Sequence, residues 1–148
     1  MTIWDFQRTL SHRLIAWNLL NFGSGVWLST KGDFWRGFGS QHIGWSLINF
    51  TIAFFGLRAN SRRILQPDIH DTAVMQHESR KLALILWVNS GLDLLYMLGG
   101  WCFAQSRASK PLQRGIGWGI VLQGALLLVF DVLHARVVPR ITAPPPQD

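Results

Sequence analysis

The stretch "GIVLQGALLLVFDVLHARVVPR", residues 119–140, decides the fold class. It belongs to an apolar block, residues 116–138, of about the length that an α-helix needs to cross a bilayer, which is roughly 20 residues. The block also contains Gln123, Asp131 and His134. We therefore predict a transmembrane helix that carries polar side chains, and these must find partners inside the protein.

Three further apolar blocks precede this one, at residues 14–29, 41–57 and 82–104. Four spans joined by a short, a long and an intermediate connection predict an all-α integral membrane protein, folded as an up-down-up-down four-helix bundle within a single domain. Residues 58–81 are predicted to form a charged cytoplasmic loop, in which Pro67 is able to begin a helix that continues into the third span. Residues 141–148 are rich in proline, which predicts a disordered tail.

Tryptophan usage supports the membrane prediction. The chain has 8 Trp, and most of them lie near the ends of the apolar blocks. Trp favours the membrane–water interface, where its ring is buried and its N–H remains hydrated. The alternative is a tryptophan-rich soluble helical bundle.

The basic residues are distributed unevenly between the two ends of the predicted bundle. The chain carries 14 Lys and Arg against 8 Asp and Glu. The end that holds both termini has nine basic residues: Arg8, Arg13, Arg58, Arg62, Arg63, Arg80, Lys81, Arg136 and Arg140. The other end has five: Lys31, Arg36, Arg107, Lys110 and Arg114. The positive-inside rule therefore places both termini in the cytoplasm, and this placement argues against a nucleic-acid partner.

A weak internal repeat relates the second and fourth spans. "RGFG" at residues 36–39 opens the second span, and "RGIG" at residues 114–117 opens the fourth. Aligned on these motifs, the spans run in register to Arg58 and Arg136. This pattern suggests a duplicated helical hairpin, with the two copies related by an axis along the membrane normal.

The polar residues of the spans are predicted to form one layer in the inner half of the bundle. An ionised Asp at a helix centre costs about 2.5–3.5 kcal/mol on insertion scales, so such groups are expected to face the interior. One interpretation is an ion, proton or cofactor site, and the other is a hydrogen-bond cluster that fixes helix register. The predicted cluster comprises Asn18, Asn21, Asn49, Asn89, Asp93, Gln123, Asp131 and His134.

The histidines and the cysteine form few arrangements that suit metal binding, haem ligation or catalysis. His12 and His134 lie at matched depth on different spans, which is the minimum for bis-histidine haem ligation. His70 and His77 are too far apart along a helix to chelate a metal as an i, i+4 pair does. Cys102 is the single cysteine and has no thiol partner for a metal site. No catalytic constellation is found, so we expect no enzyme, no metal site and no identified cofactor.

The third and fourth spans resemble a known family. The segments "LWVNSGLDLLYMLGG" and "GWGIVLQGALLLVFD", residues 86–100 and 117–131, are similar to a bacterial family of small four-span membrane proteins classed as a domain of unknown function. The shared pattern is Asn-x-Gly-Leu-Asp, Tyr and Gly-Gly in the third span and Gln-Gly and Phe-Asp in the fourth. The resemblance implies a multi-pass protein of a bacterial inner membrane. The resemblance supports Asn89, Asp93, Gln123 and Asp131 as candidate site residues. It implies no activity.

Three hypotheses for function follow. The first is a non-enzymatic accessory or assembly subunit of a membrane complex, or a small homo-oligomer, whose partners are the lipid bilayer and other membrane subunits. The alternative is a transporter of a small solute or of protons that uses Asp93 and Asp131. The third is a redox subunit that binds haem or quinone through His12 and His134.

Overall fold

The computed structural model describes residues 1–140, so the predicted tail at 141–148 lies outside the described residues. Within residues 1–140 the chain is all-α, with no strand, as predicted. Its helices are α1 (Ile3–Ser29), α2 (Asp33–Arg63), α3 (Thr72–Ser106) and α4 (Pro111–Val137). The helices extend beyond the apolar blocks, and much of the predicted charged loop is helical, which leaves residues 64–71 as the connection between α2 and α3.

Local sequence signals set the helix starts. Thr2 and Asp5 form a reciprocal capping box at the start of α1. Asp71 caps α3 by accepting a hydrogen bond from the Ala73 N–H at 2.8 Å. Pro67 therefore does not begin a helix, contrary to the prediction, because the capping carboxylate lies four residues further on. Pro111 occupies the first turn of α4, where its missing N–H costs nothing.

The helices pair as two antiparallel hairpins. In the first hairpin, the early part of α2 lies against the late part of α1, where a Cβ on Gly39 would be 2.5 Å from the Gly25 carbonyl oxygen. In the second, a Cβ on Gly117 would be 2.7 Å from the Gly100 carbonyl oxygen. Gly39 and Gly117 are the last residues of the two repeated motifs, so the repeat places equivalent glycines at equivalent backbone contacts.

The two hairpins meet where α2 and α4 run parallel. A Cβ on Gly37 would collide with the carbonyl of Leu112, and a Cβ on Gly115 would collide with the carbonyl of Phe34. Gly37 and Gly115 are the second residues of the two motifs, and their contacts are reciprocal. Each motif therefore presents one glycine to the partner helix of its own hairpin and another to the opposite hairpin. Two residues along a helix correspond to about 200°, which places these glycines on opposite faces.

The interior is polar and the outer surface is apolar. More polar than apolar side chains are buried among the described residues, while Leu20, Phe55 and Leu95 are each more than 60% exposed. The apolar core lies at the end of the bundle that holds the N-terminus, where Ile3, Trp4, Phe6, Leu86, Ala135 and Val138 pack together. Trp4 is buried, unlike an interfacial Trp. Its Nε1 is satisfied inside the protein, where it donates to the Ile69 carbonyl at 3.0 Å.

Two of the four helices, α3 and α4, are long and apolar enough to cross a membrane. Their most apolar windows are only 17% and 28% buried inside the protein. The core helix of a soluble protein is mostly buried, so neither window resembles one.

The reciprocal crossing predicts the effect of adding one methyl group. Gly37→Ala or Gly115→Ala should lower the free energy of unfolding by about 1–3 kcal/mol, because the new Cβ meets a backbone carbonyl that cannot rotate away. Gly44→Ala, on the outer face of α2 with open space around it, is the matched control and should be neutral or slightly stabilising. Thermal unfolding in detergent measures both. Equal stability of Gly37→Ala and the control would contradict the crossing.

Candidate functional site

The bundle interior holds most of the polar side chains that the sequence singled out. Asn18, Asn21, Asn49, Asp93, Gln123, Asp131 and His134 are buried. Asn89 is not buried, because it lines a cleft in the side of the bundle. These residues come from all four helices.

Asn21 and Gln123 form a reciprocal amide pair between α1 and α4. The Asn21 Nδ2 donates to the Gln123 Oε1 at 3.0 Å, and the Gln123 Nε2 donates to the Asn21 Oδ1 at 3.0 Å. Gln123 is 1% exposed, which makes it one of the most deeply buried large side chains. The pair satisfies both amides and links the two hairpins, so it fixes the register of α1 against α4.

The two buried carboxyls, Asp93 and Asp131, lie near one another on α3 and α4. Asp93 and Asp131 interact electrostatically, and the Asn89 side chain lies close to the Asp131 carboxyl. One oxygen of Asp93, Oδ2, is buried without a hydrogen-bond partner. Within residues 1–140 the ion pairs are Arg8–Asp5, Arg36–Asp33 and Arg63–Asp68, so neither buried carboxyl is paired with a cation in the described structure.

Asn18 and Asn49 complete the layer on the first hairpin. Asn18 uses its Nδ2 to bond the Leu14 carbonyl at 2.6 Å, and its buried Oδ1 has no partner. The Nδ2 of Asn49 is also buried and unpartnered. Unsatisfied polar groups of this kind cost about 1–3 kcal/mol each, so a hydrogen-bonding partner at either atom would stabilise the bundle.

His134 is held by its neighbours on α1 and α4. The Arg13 guanidinium donates to His134 Nε2 at 3.3 Å, so the imidazole proton lies on Nδ1, which donates to the Phe130 carbonyl at 2.7 Å. Both ring nitrogens are therefore engaged, and neither is free for haem iron. His12, the other predicted ligand, is exposed. No group of three or more His, Cys, Asp or Glu residues in the described part of the chain could hold a metal ion.

A cleft of about 430 Å³ opens in the side of the bundle between α2 and α3, which make almost no direct contact in the described structure. Ile52 and Ile85 line its two edges and are largely exposed. Asp131 lies on its floor, and Asn89 projects into it. The volume falls in the range of small-molecule sites, about 300–1,000 Å³.

The N-terminal end of the cleft is closed by a polar group around Trp4. The Asn60 Nδ2 donates to the Trp4 carbonyl at 2.9 Å, and the Arg63 guanidinium lies over the Trp4 ring. Arg63 also hydrogen-bonds Asp68, which lowers the pKa of that carboxyl below its ordinary value. Sequence reasoning missed Asn60, Trp4 and Arg13 as interior partners, because each acts through a contact with a residue distant in the chain.

The amide pair predicts a measurable coupling. Asn21→Ala or Gln123→Ala should each destabilise the protein by about 1–3 kcal/mol, since each strands a buried amide. The double variant should cost less than the sum of the two, with a coupling energy of about 0.6–1.7 kcal/mol. Unfolding in mixed micelles measures the cycle. Strict additivity would show that the two amides do not interact.

Comparison with known proteins assigns the chain to a family without assigning a reaction. No curated protein and no solved structure matches it. A family of unknown function, DUF6992, matches residues 13–132, which is most of the chain and includes every residue of the predicted polar cluster except His134. The resemblance noted in the sequence, to a family of unknown function, is thereby confirmed, and the chain belongs to DUF6992.

Proposed function

We propose that the protein is an integral membrane protein in which all four helices span the bilayer. The observation that carries this proposal is the inverted distribution of polarity, with buried amides and carboxyls and an outer surface of large apolar side chains. In water this surface would be a severe aggregation hazard, whereas in lipid it is the expected one.

The first two helices fit the same placement although their average hydropathy is lower. The polar side chains of α1, including Asn18 and Asn21, point inward, and its outward side chains include Leu19, Leu20 and Val26. On α2 the inward Ser46 and Asn49 contrast with the outward Leu47, Ile48 and Phe55. The mean hydropathy of a whole helix does not show this segregation, because it averages the inward polar side chains with the outward apolar ones. Lipid contacts only the outer face.

We further infer the orientation and origin of the bundle. The nine basic residues at the end with both termini favour a cytoplasmic location for that end, in the inner membrane of a bacterial cell. The reciprocal contacts of the two repeated motifs support descent from a duplicated helical hairpin. In that arrangement α2 and α4 lie side by side at the axis that relates the copies.

We propose that the protein acts as a non-enzymatic accessory or assembly subunit, or as a small homo-oligomer. Its support is a set of glycines on the outer helix faces. Gly91 and Gly99 on α3, like Gly23 on α1, have nothing within 4 Å of an added Cβ. In lipid, small residues at the surface allow another helix to approach closely. These faces therefore suit a neighbouring membrane helix.

Purification in mild detergent tests this function. Tagged wild-type protein should bring down a stoichiometric membrane partner or a second copy, identified by mass spectrometry. Gly91→Leu with Gly99→Leu should lose that association, because the larger side chains hold the neighbouring helix away. Leu92→Ile, on the same helix, is the control and should retain it. A monomeric wild-type protein with no partner would contradict the proposal, and an absorption spectrum of the same sample reports any haem.

A second candidate function is transport of protons or a small solute through Asp93 and Asp131. The specific observation in its favour is that two neighbouring buried carboxyls have no counter-charge among the described residues. Intramembrane ionisable groups of this kind commonly mark ion and proton pathways.

Transport predicts a selective loss of flux. In liposomes with a pH-sensitive dye, Asp93→Asn should lower proton flux to that of empty vesicles, since the amide cannot carry the proton. Asp33→Asn, at the exposed start of α2, is the control and should keep the wild-type flux. If wild-type protein itself conducts no better than empty vesicles, proton transport is excluded.

A further inference from the structure

Gly56, which lines the cleft between α2 and α3, stands at a position where the two hairpins differ. In the register of the repeated motifs, Gly56 on α2 corresponds to His134 on α4. His134 fills its side of the bundle, with its ring packed against Phe130 and Phe6. Gly56 has no side chain, and a Cβ there would meet only the Ser11 hydroxyl, at 3.4 Å. The volume that His134 occupies in one half is open in the other.

The walls of the cleft are largely apolar, and its polar lining includes both hydrogen-bond donors and acceptors. Leu14, Ile52, Ile85 and Phe130 supply apolar surface. The Asp131 carboxyl and the Asn89 amide also line the cleft.

A second acceptor lies at the other end. Asn60 lines the cleft and is 7% exposed, and its Oδ1 has no hydrogen-bond partner because its Nδ2 is used on Trp4. Asn60 and Ala53 are seven residues apart on α2, and Ala53 also lines the cleft. This separation is about 10 Å along the helix, comparable to the length of a small organic molecule.

The charges near the mouth do not neutralise the carboxyl on the floor. Arg63 is already paired with Asp68, and Lys81 and Glu78 line the mouth with opposite charges. Asp131 has no ion pair among the described residues, and Asp93 beside it adds a second acidic group. A ligand that supplies a positive charge and N–H donors would complement the Asp131 end of the cleft, whereas the basic Arg63 and Lys81 line it further toward the N-terminal end.

We propose that the cleft binds a hydrophobic amine, with its ammonium group on Asp131 and Asn89 and its apolar body between Ile52 and Ile85. The site requires only the single chain and so does not depend on the subunit function, but it rests on the proposed membrane placement and shares Asp131 with the transport candidate. The open side of the cleft between α2 and α3 gives such a molecule a direct route from the surrounding lipid.

Equilibrium binding to the full chain in lipid nanodiscs tests the proposal. The probe is 2-naphthylmethylamine, with 2-naphthylmethanol as its uncharged analogue, and empty nanodiscs give the background partition. The amine should bind at a single saturable site at least about tenfold more tightly than the alcohol, as expected for a hydrogen bond to a charged group. Asp131→Asn should weaken the amine by about tenfold and leave the alcohol unchanged.

A variant with a larger side chain in the cleft tests the proposal sterically. Gly56→Leu should abolish saturable binding, because the side chain enters the space beside Ser11. Gly44→Leu, on the same helix but facing open space, should bind as wild type does. Unfolding temperatures of both variants separate a blocked cleft from a damaged fold, and Asp131→Asn gives a second reading that does not depend on volume. Equal binding of amine and alcohol, or undiminished amine binding by a folded Gly56→Leu or Asp131→Asn variant, would overturn the proposal.

Discussion

The backbone contact between α2 and α4 is the constraint on which the rest of the bundle depends. At Gly37 and Gly115 each helix lies against a carbonyl of the other, at a distance that admits no side chain. Gly39 and Gly117 lie in the same turns but on the opposite helix faces. There they pack α2 against α1 and α4 against α3. In the proposed membrane placement lipid offers no hydrophobic drive for helices to associate, so close backbone packing would supply much of the attraction. The two glycines of each motif take part in contacts that together involve all four helices.

The glycine crossing lies at one end of the bundle, and the buried polar side chains lie mainly in the other half. Asn21 and Gln123 satisfy one another, and their pairing accounts for two of the polar residues without any ligand. Asp93, Asn18 and Asn49 are different, because each retains a buried atom without a partner in the described structure.

The fold was largely predictable and the site was only partly so. Apolar blocks of membrane length specify helices without reference to tertiary contacts, and the two motifs indicated the register of α2 with α4 because glycine spacing is a local property. The cleft could not be predicted, since residues of all four helices line it. The pairing of Arg13 with His134 also depends on residues far apart in the chain. Helix α3 begins at Thr72 because capping by Asp71 outweighed the proline signal at Pro67.

The central claim is that an inverted bundle spans the membrane four times with its basic end in the cytoplasm. Cysteine accessibility tests it most directly. In a Cys102→Ser background, a single cysteine is introduced by Gln66→Cys, between α2 and α3, or by Ala108→Cys, between α3 and α4. A membrane-impermeant maleimide applied to intact spheroplasts should label the position-108 variant and should label the position-66 variant only after lysis. Labelling of both positions in intact spheroplasts, or recovery of the protein in the soluble fraction, would contradict the account.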